Sequence, residues 1–219
     1  MSGKRVLVKV CGITSVEQSQ ALQEMGVDFL GFIFHPASPR FALERISLDE
    51  IASIRHPKKI GVFTSHSTAQ IVEIAKSVGL WGVQLHGAYS ALCIGEIKQQ
   101  LPLCTILKVL SIENSLTENQ RKSLQDPGAP WDMLLLDTAT PTLGGSGQSF
   151  NWKLLEGICL AKPFFLAGGV SLENSSLAQL LTPRPYALDV NSRFETAPGV
   201  KDLDKIYSLL EKLTHGENL

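Results

Sequence analysis

Eight short apolar runs, each followed by a segment with helical spacing, recur along the whole of this sequence. The runs occupy residues 6–10, 29–34, 59–63, 82–85, 106–109, 133–136, 164–167 and 187–190. Most are almost continuously apolar, as strands are when crossover helices cover both of their faces. The segments between them carry the 3.6-residue period. Residues 16–25 place Val16, Ala21, Leu22 and Met25 on one face, with Ser15 as N-cap and Gly26 just past the end. Residues 67–78 repeat this with Ile71, Ile74, Ala75 and Val78, closed by Gly79. Weaker versions are expected at 48–54, 91–100, 115–124, 152–158, 172–181 and 203–213.

Strand–helix alternation implies a parallel sheet. Eight units point to closure into a (β/α)8 TIM barrel of class α/β, with a doubly wound open sheet as the competing arrangement. No Pro/Gly/Ser-rich linker divides the chain; residues 125–130 read only as a loop. The expectation is one catalytic domain over residues 1–219. Apolar residues make up 44% of the chain, enough for a real core.

Other classes find little support. The net charge is −1 and no block of like charge occurs, so nothing electrostatic points to nucleic acid or an anionic membrane. No signal-peptide core or membrane span is expected. Cys11, Cys93, Cys104 and Cys159 form no C-x-x-C pair, and a reduced, cytoplasmic setting follows. The five histidines lack metal-ligand spacing. No Walker loop and no well-placed G-x-G-x-x-G appears, which argues against ATP and dinucleotides. Neither metal nor cofactor is expected.

In a barrel the active site lies on the loops after the strands. Cys11 closes the first run. Strand parity puts Leu7, Lys9 and Cys11 inside and Val6, Val8 and Val10 outside. The Lys9 ammonium beside it is expected to favour thiolate; the competing reading is a small buried hydrophobe. Asp137 ends the sixth run, where a carboxyl group needs partners or a raised pKa, unless it is only an N-cap. One base and one acid facing across the barrel mouth suit proton transfer. Gly144, Gly145 and Gly147, then Gly168 and Gly169, then Asn191 and Ser192 follow the last three strands. Backbone N–H groups there can cradle a phosphate. Arg40, stiffened by Pro39, suits a carboxylate, or else a surface ion pair. It is expected well away from the seventh and eighth strands, so that a substrate with an anion at each end spans the mouth. His35 and His86 line the pocket or are structural.

Taken in order, these segments resemble the phosphoribosylanthranilate isomerase family. The matching pieces are Lys9-Val10-Cys11-Gly12-Ile13-Thr14, Gly31-Phe32-Ile33-Phe34 with Ser38-Pro39-Arg40, Gly61-Val62-Phe63, and Val83-Gln84-Leu85-His86-Gly87. Asp137 with Gly144-Gly145-Ser146-Gly147, Leu166-Ala167-Gly168-Gly169, Asp189-Val190-Asn191-Ser192, Glu195, Pro198-Gly199 and Lys201-Asp202 complete the series. The resemblance covers nearly the whole chain. It implies a small-molecule substrate, N-(5′-phosphoribosyl)anthranilate, and its Amadori rearrangement in tryptophan biosynthesis. It further implies Asp137 as general acid, Cys11 as general base and Arg40 on the anthranilate carboxylate. Another tryptophan-pathway enzyme is a possible partner. One departure stands out: Arg193 occupies the position where the family usually has glycine. The alternatives are another phosphosugar-processing barrel or a catalytically silent phosphosugar-binding barrel. Against the first, epimerases of that kind use paired aspartates and a metal with histidines, a set this chain lacks; the second has no need of both Cys11 and Asp137.

Overall fold

The computed structural model of the chain describes residues 5–139 and 150–215. Eight parallel strands close into a barrel in sequence order: β1 Leu7–Cys11, β2 Phe29–Ile33, β3 Lys59–Phe63, β4 Gly82–Leu85, β5 Thr105–Ile112, β6 Met133–Thr138, β7 Phe164–Leu166 and β8 Ala187–Val190. β1 and β8 are neighbours, with Lys9 opposite Asp189. The open-sheet alternative therefore falls.

The strand predictions hold within a residue or two, except at β5. There the expected strand stops at Val109, whereas the ladder to β6 continues through Ser111↔Asp137 and Ile112↔Thr138. Leu110 and the buried Ile112 extend the apolar pattern past Val109, and the polar Ser111 interrupts it.

Helices α1 Val16–Glu24, α2 Leu48–Ser53, α3 Thr68–Val78, α4 Ala91–Gln100, α5 Glu118–Gln125, α6 Ser175–Gln179 and α7 Leu203–His215 cover the barrel. Their starts are fixed by side-chain caps: Ser15, Ser47, Ser67, Ser90 and Thr117 each accept a first-turn N–H. Ser47, Ser67 and Thr117 form full capping boxes. The Thr117–Gln120 box explains why α5 begins at 118 and not at 115.

Two expected helices are much reduced. Residues 152–158 form only a 3-10 turn, Trp152–Leu155, because Gly157 takes a left-handed φ of 74° just beyond it. Residues 172–181 shrink to α6, since the Asn174 side chain accepts the Ser171 N–H and holds that stretch as a turn. A feature not foreseen is the hairpin β9 Glu195–Ala197 and β10 Val200–Lys201 after β8. Its turn is Pro198–Gly199, with Gly199 at φ 80°.

Parity sorts the core into two layers. Val6, Val8 and Val10 join the large cluster between barrel and helices. Phe29, Ile60, Leu107, Val109, Leu135, Phe165, Ala167 and Ala187 fill the barrel interior. Above this inner plug the inward positions turn polar, and the site begins there.

Candidate active site

The transition from plug to pocket is a buried ion pair. Lys9 Nζ donates to both carboxylate oxygens of Asp189 at 3.0 Å and to Gln84 Oε1 at 2.8 Å. The lysine side chain is fully buried. Burial, the largest influence, lowers its pKa, but the charges of Asp189 and Cys11 and their hydrogen bonds together outweigh it and hold the ammonium above its ordinary range. Breaking such a pair by removing one partner typically costs about 3–5 kcal/mol, so it is a rigid floor for what lies above.

Cys11 stands one inward step above Lys9 and is buried. Gly31 faces it on β2; a Cβ there would lie 2.9 Å from Sγ, so glycine leaves the thiol its space. Lys9 favours the thiolate, in line with the expectation, but the thiol is raised overall. Burial pushes the thiol pKa up; Lys9 pulls it down, but Asp189, which holds the Lys9 charge, pushes it up again.

Asp137 lies on the inward side of β6, two residues beyond the inner-layer Leu135. Burial raises its pKa to about 6, against a hydrogen bond donated by the Thr138 N–H at 2.8 Å. Asp189 raises it further and Lys9 opposes. Cys11 and Asp137 thus feel the same Lys9–Asp189 pair from two sides of the barrel.

Arg40 is not far from the eighth strand. Its Nε donates to both oxygens of Glu195 at 3.0 and 2.9 Å, and its Nη2 to Oε2 at 2.7 Å. Closure of the barrel explains the correction: only β1 separates β2 from β8. The ion pair is no surface pair either, with the two side chains 11% and 3% exposed. Glu195 also accepts from Lys201 Nζ at 2.6 Å, and the same ammonium donates to Asn191 Oδ1 at 2.9 Å.

Of the expected phosphate turns, Gly144, Gly145 and Gly147 lie outside the described residues. Gly168 and Gly169 follow β7 with φ of 72° and 74°. A Cβ on Gly168 would strike Thr138 Oγ1 and, at 2.6 Å, the Thr138 N atom, so close packing on β6 demands glycine there. Asn174 Nδ2 donates to the Gly169 carbonyl at 2.9 Å and fixes the turn. Asn191 and Ser192 follow β8, with Ser192 opening a 3-10 turn through Phe194. Arg193 sits exposed within that turn, in a right-handed conformation.

His35 Nδ1 lies 2.9 Å from Thr64 Oγ1. His86 is held neutral, its pKa pushed down to about 4 by burial and by the cations Lys9 and Lys108. Both stand beside the pocket, and His35 has the hydrogen-bonded partner of a structural histidine. Among the described residues no group of three or more His, Cys, Asp or Glu is placed to hold a metal, and no helix is long and apolar enough to cross a membrane.

Gln84, Asp189, Glu195 and Lys201 all stood in the segments that carry the resemblance, and none had an assigned role. A signal existed for Lys9–Asp189: each is the single charge inside an apolar run, at matching inward parity.

Residues 8–212 match the family model for N-(5'phosphoribosyl)anthranilate (PRA) isomerase. A curated relative from Nostoc punctiforme, an N-(5'-phosphoribosyl)anthranilate isomerase, is 39% identical over 210 residues, covering 94% of this chain and 97% of its own length. A tryptophan biosynthesis protein TrpCF from Helicobacter pylori is 35% identical over 202 residues, which cover 92% of this chain and 42% of that protein. The crystal structure of a phosphoribosyl anthranilate isomerase in complex with reduced 1-(o-carboxyphenylamino)-1-deoxyribulose 5-phosphate superposes with a TM-score of 0.76 at 29% identity, covering 95% of this chain and 98% of that one. On sequence match, coverage and barrel architecture together, the chain belongs to the N-(5'-phosphoribosyl)anthranilate isomerase family.

Proposed function

We propose that the protein isomerises N-(5′-phosphoribosyl)anthranilate to 1-(2-carboxyphenylamino)-1-deoxy-D-ribulose 5-phosphate in tryptophan biosynthesis, and that Cys11 and Asp137 carry the proton transfers. The observation that carries this reading is a thiol and a carboxyl group on inward positions of β1 and β6, the carboxyl at a pKa of about 6. Asp137 gives its proton to the furanose ring oxygen. The C1′–O bond breaks, and the anilino nitrogen lone pair forms the C1′=N bond of an iminium ion. The Cys11 thiolate takes the proton from C2′. That C–H electron pair becomes the C1′=C2′ bond, and the iminium π electrons return to nitrogen. The enolamine then tautomerises, C2′ becoming a ketone and C1′ a methylene. The substrate's charge at nitrogen appears and is quenched inside the pocket, where fixed dipoles act in a low dielectric.

Arg40 holds the anthranilate carboxylate. Its Nε–Nη2 edge is clamped by Glu195, and the Nη1–Nη2 edge is the one that faces a ligand. Gly168, Gly169, Asn191 and Ser192 take the phosphate, together with Gly144, Gly145 and Gly147. The whole of residues 1–219 is read as one catalytic domain. It works on a free small molecule in the cytoplasm, with no nucleic acid or membrane partner. Another tryptophan-pathway enzyme is the protein partner to look for; the TrpCF relative, whose match fills 42% of its length, supports that choice.

The test is a turnover assay on the purified chain, following loss of the fluorescent substrate and appearance of the ketose by mass spectrometry. Saturable conversion is expected. Binding without conversion would turn the reading to a silent phosphosugar-binding barrel.

A further inference from the structure

Three charged side chains meet on the rim between β1, the loop after β2 and the β9–β10 hairpin. Glu195 lies between Arg40 at 2.7 Å and Lys201 at 2.6 Å. Lys201 is fully buried and Glu195 is 3% exposed. Two cations and one anion leave the group at +1. Beneath it, Lys9 and Asp189 cancel. A buried excess of positive charge is costly unless an anion lies within reach.

The cluster is packed against the segment that carries the thiol. A Cβ on Gly12, the residue after Cys11, would lie 2.8 Å from Arg40 Cδ and 2.9 Å from Asn191 Oδ1. That same Asn191 oxygen accepts from Lys201 at 2.9 Å. The hairpin that delivers Lys201 is itself tied to β1's neighbourhood: Thr14 Oγ1 donates to the Gly199 carbonyl at 2.7 Å, and Gln18 Oε1 accepts the Lys201 N–H at 2.7 Å.

We propose that Lys201 is a positioning residue for the base: anchored by Glu195 and Asn191, its ammonium stabilises the Cys11 thiolate while Arg40 serves the substrate carboxylate. The proposal rests on the reading of Cys11 as the base. Lys9 is the nearer ammonium and the stronger pull on the thiol, to which it also hydrogen-bonds, but the Asp189 carboxylate that holds Lys9 pushes the thiol pKa back up, and Lys201 adds a second cation against it. Lys201 shares one carboxylate with Arg40, so part of its charge remains for the thiol. The charged groups acting on Cys11 are Lys9 from β1, Asp189 from β8 and Lys201 from β10, with Glu195 and Arg40 behind Lys201. Lys201 pulls the thiol pKa down against the burial that pushes it up; burial lowers the pKa of Lys201 itself, and Glu195 first and then the thiolate favour its charged form.

The test compares Lys201→Met, Lys201→Arg and Glu195→Gln in the full chain. Iodoacetamide modification of Cys11 is followed across pH by peptide mass spectrometry, which separates it from the other three cysteines and needs no substrate. Lys201→Met removes a cation and raises the thiol pKa, so that Cys11 is alkylated more slowly at every pH below it. Lys201→Arg restores most of the loss. Glu195→Gln removes the anion that keeps buried Lys201 charged and in place, so the thiol pKa rises there too, and less than in Lys201→Met. A merely structural role would leave Lys201→Arg no better than Lys201→Met; that result, or an unchanged or lowered thiol pKa in Lys201→Met, overturns the proposal. Should Lys201→Met fail to fold, Lys201→Gln decides in its place: a raised thiol pKa supports the proposal and an unchanged or lowered one sinks it. Normal thiol shifts in a chain that does not turn over phosphoribosylanthranilate would instead overturn the function reading and, with it, Lys201's role toward a base, leaving only its effect on the thiol.

Discussion

At Cys11 and Asp137, burial pushes both acids toward their protonated forms, with opposite consequences for the two roles. It prepares Asp137 to donate and holds Cys11 back from accepting. The reactive form, protonated Asp137 with thiolate Cys11, carries the same number of protons as the dominant form, ionised Asp137 with neutral thiol. Its share therefore stays constant between the two pKa values and falls outside them. The expected kcat/KM, which reports the free enzyme, is flat just above pH about 6 and declines as pH drops through that value, the acid limb belonging to Asp137. A carbon NMR titration of the Asp137 carboxyl in the free protein should give the same midpoint. A kcat/KM that instead rises as pH drops through that midpoint would mean that the thiol titrates below the carboxyl, contrary to the burial argument. Cys11→Ala should lower kcat ~10²–10⁴-fold without loss of fold, the usual range for a general base. Cys93→Ala, Cys104→Ala and Cys159→Ala should all stay active, because none of these side chains faces the pocket. Near-normal turnover in Cys11→Ala would end its assignment as the base.

At the scale of elements, the loop after β2 and the hairpin after β8 act as one unit, because barrel closure makes them neighbours. Arg40 is the link. Arg40→Ala should weaken binding of the reduced product analogue by roughly 2–5 kcal/mol, the cost of truncating one partner of a buried charge pair, and leave inorganic phosphate nearly unaffected. Titration calorimetry with each ligand separates the two; equal losses would place Arg40 in the phosphate site. The sequence carried Arg40 but not its setting, since Glu195 is 155 residues away and no local pattern joins them. The same limit governs the elements themselves. Strands buried on both faces announce themselves as apolar runs, and caps such as Ser15 and Ser67 announce helices. Trp152–Leu155 has the apolar residues of a helix yet stops after one turn at a glycine. The β9–β10 hairpin is too short and too polar to show any period, although Pro198–Gly199 is a turn signal in itself. What sequence reasoning lacked there was length, not chemistry.

The whole molecule places its polar chemistry on top of an apolar plug, so the site and the core compete for the same low dielectric. The parity of β1 made Lys9 and Cys11 legible as inward residues; Asp189, a single charge in an apolar run, could be singled out in the same way, but only closure of the barrel sets it opposite Lys9. That competition has a measurable consequence for stability. Asp137 has a pKa of about 6 in the folded chain against an ordinary value of 3.8. The folded state therefore binds this proton more tightly than the unfolded chain. Stability from this group is gained as pH falls through the window from about 6 to 3.8 and lost as pH rises through it. Above the window the ionised carboxylate costs the fold up to ~3 kcal/mol, from a difference of about 2 pKa units at 1.36 kcal/mol each. Asp137→Asn keeps the Oδ1 acceptor for the Thr138 N–H and carries no charge. It should abolish most turnover and, at neutral pH, raise the melting temperature. The gain should shrink as pH is lowered and vanish once Asp137 is protonated in both states. Thermal melts of the two proteins at several pH values check this. A variant no more stable than the parent at neutral pH would mean that Asp137 is solvated or paired in the folded chain, and with its raised pKa would go the argument for it as the acid.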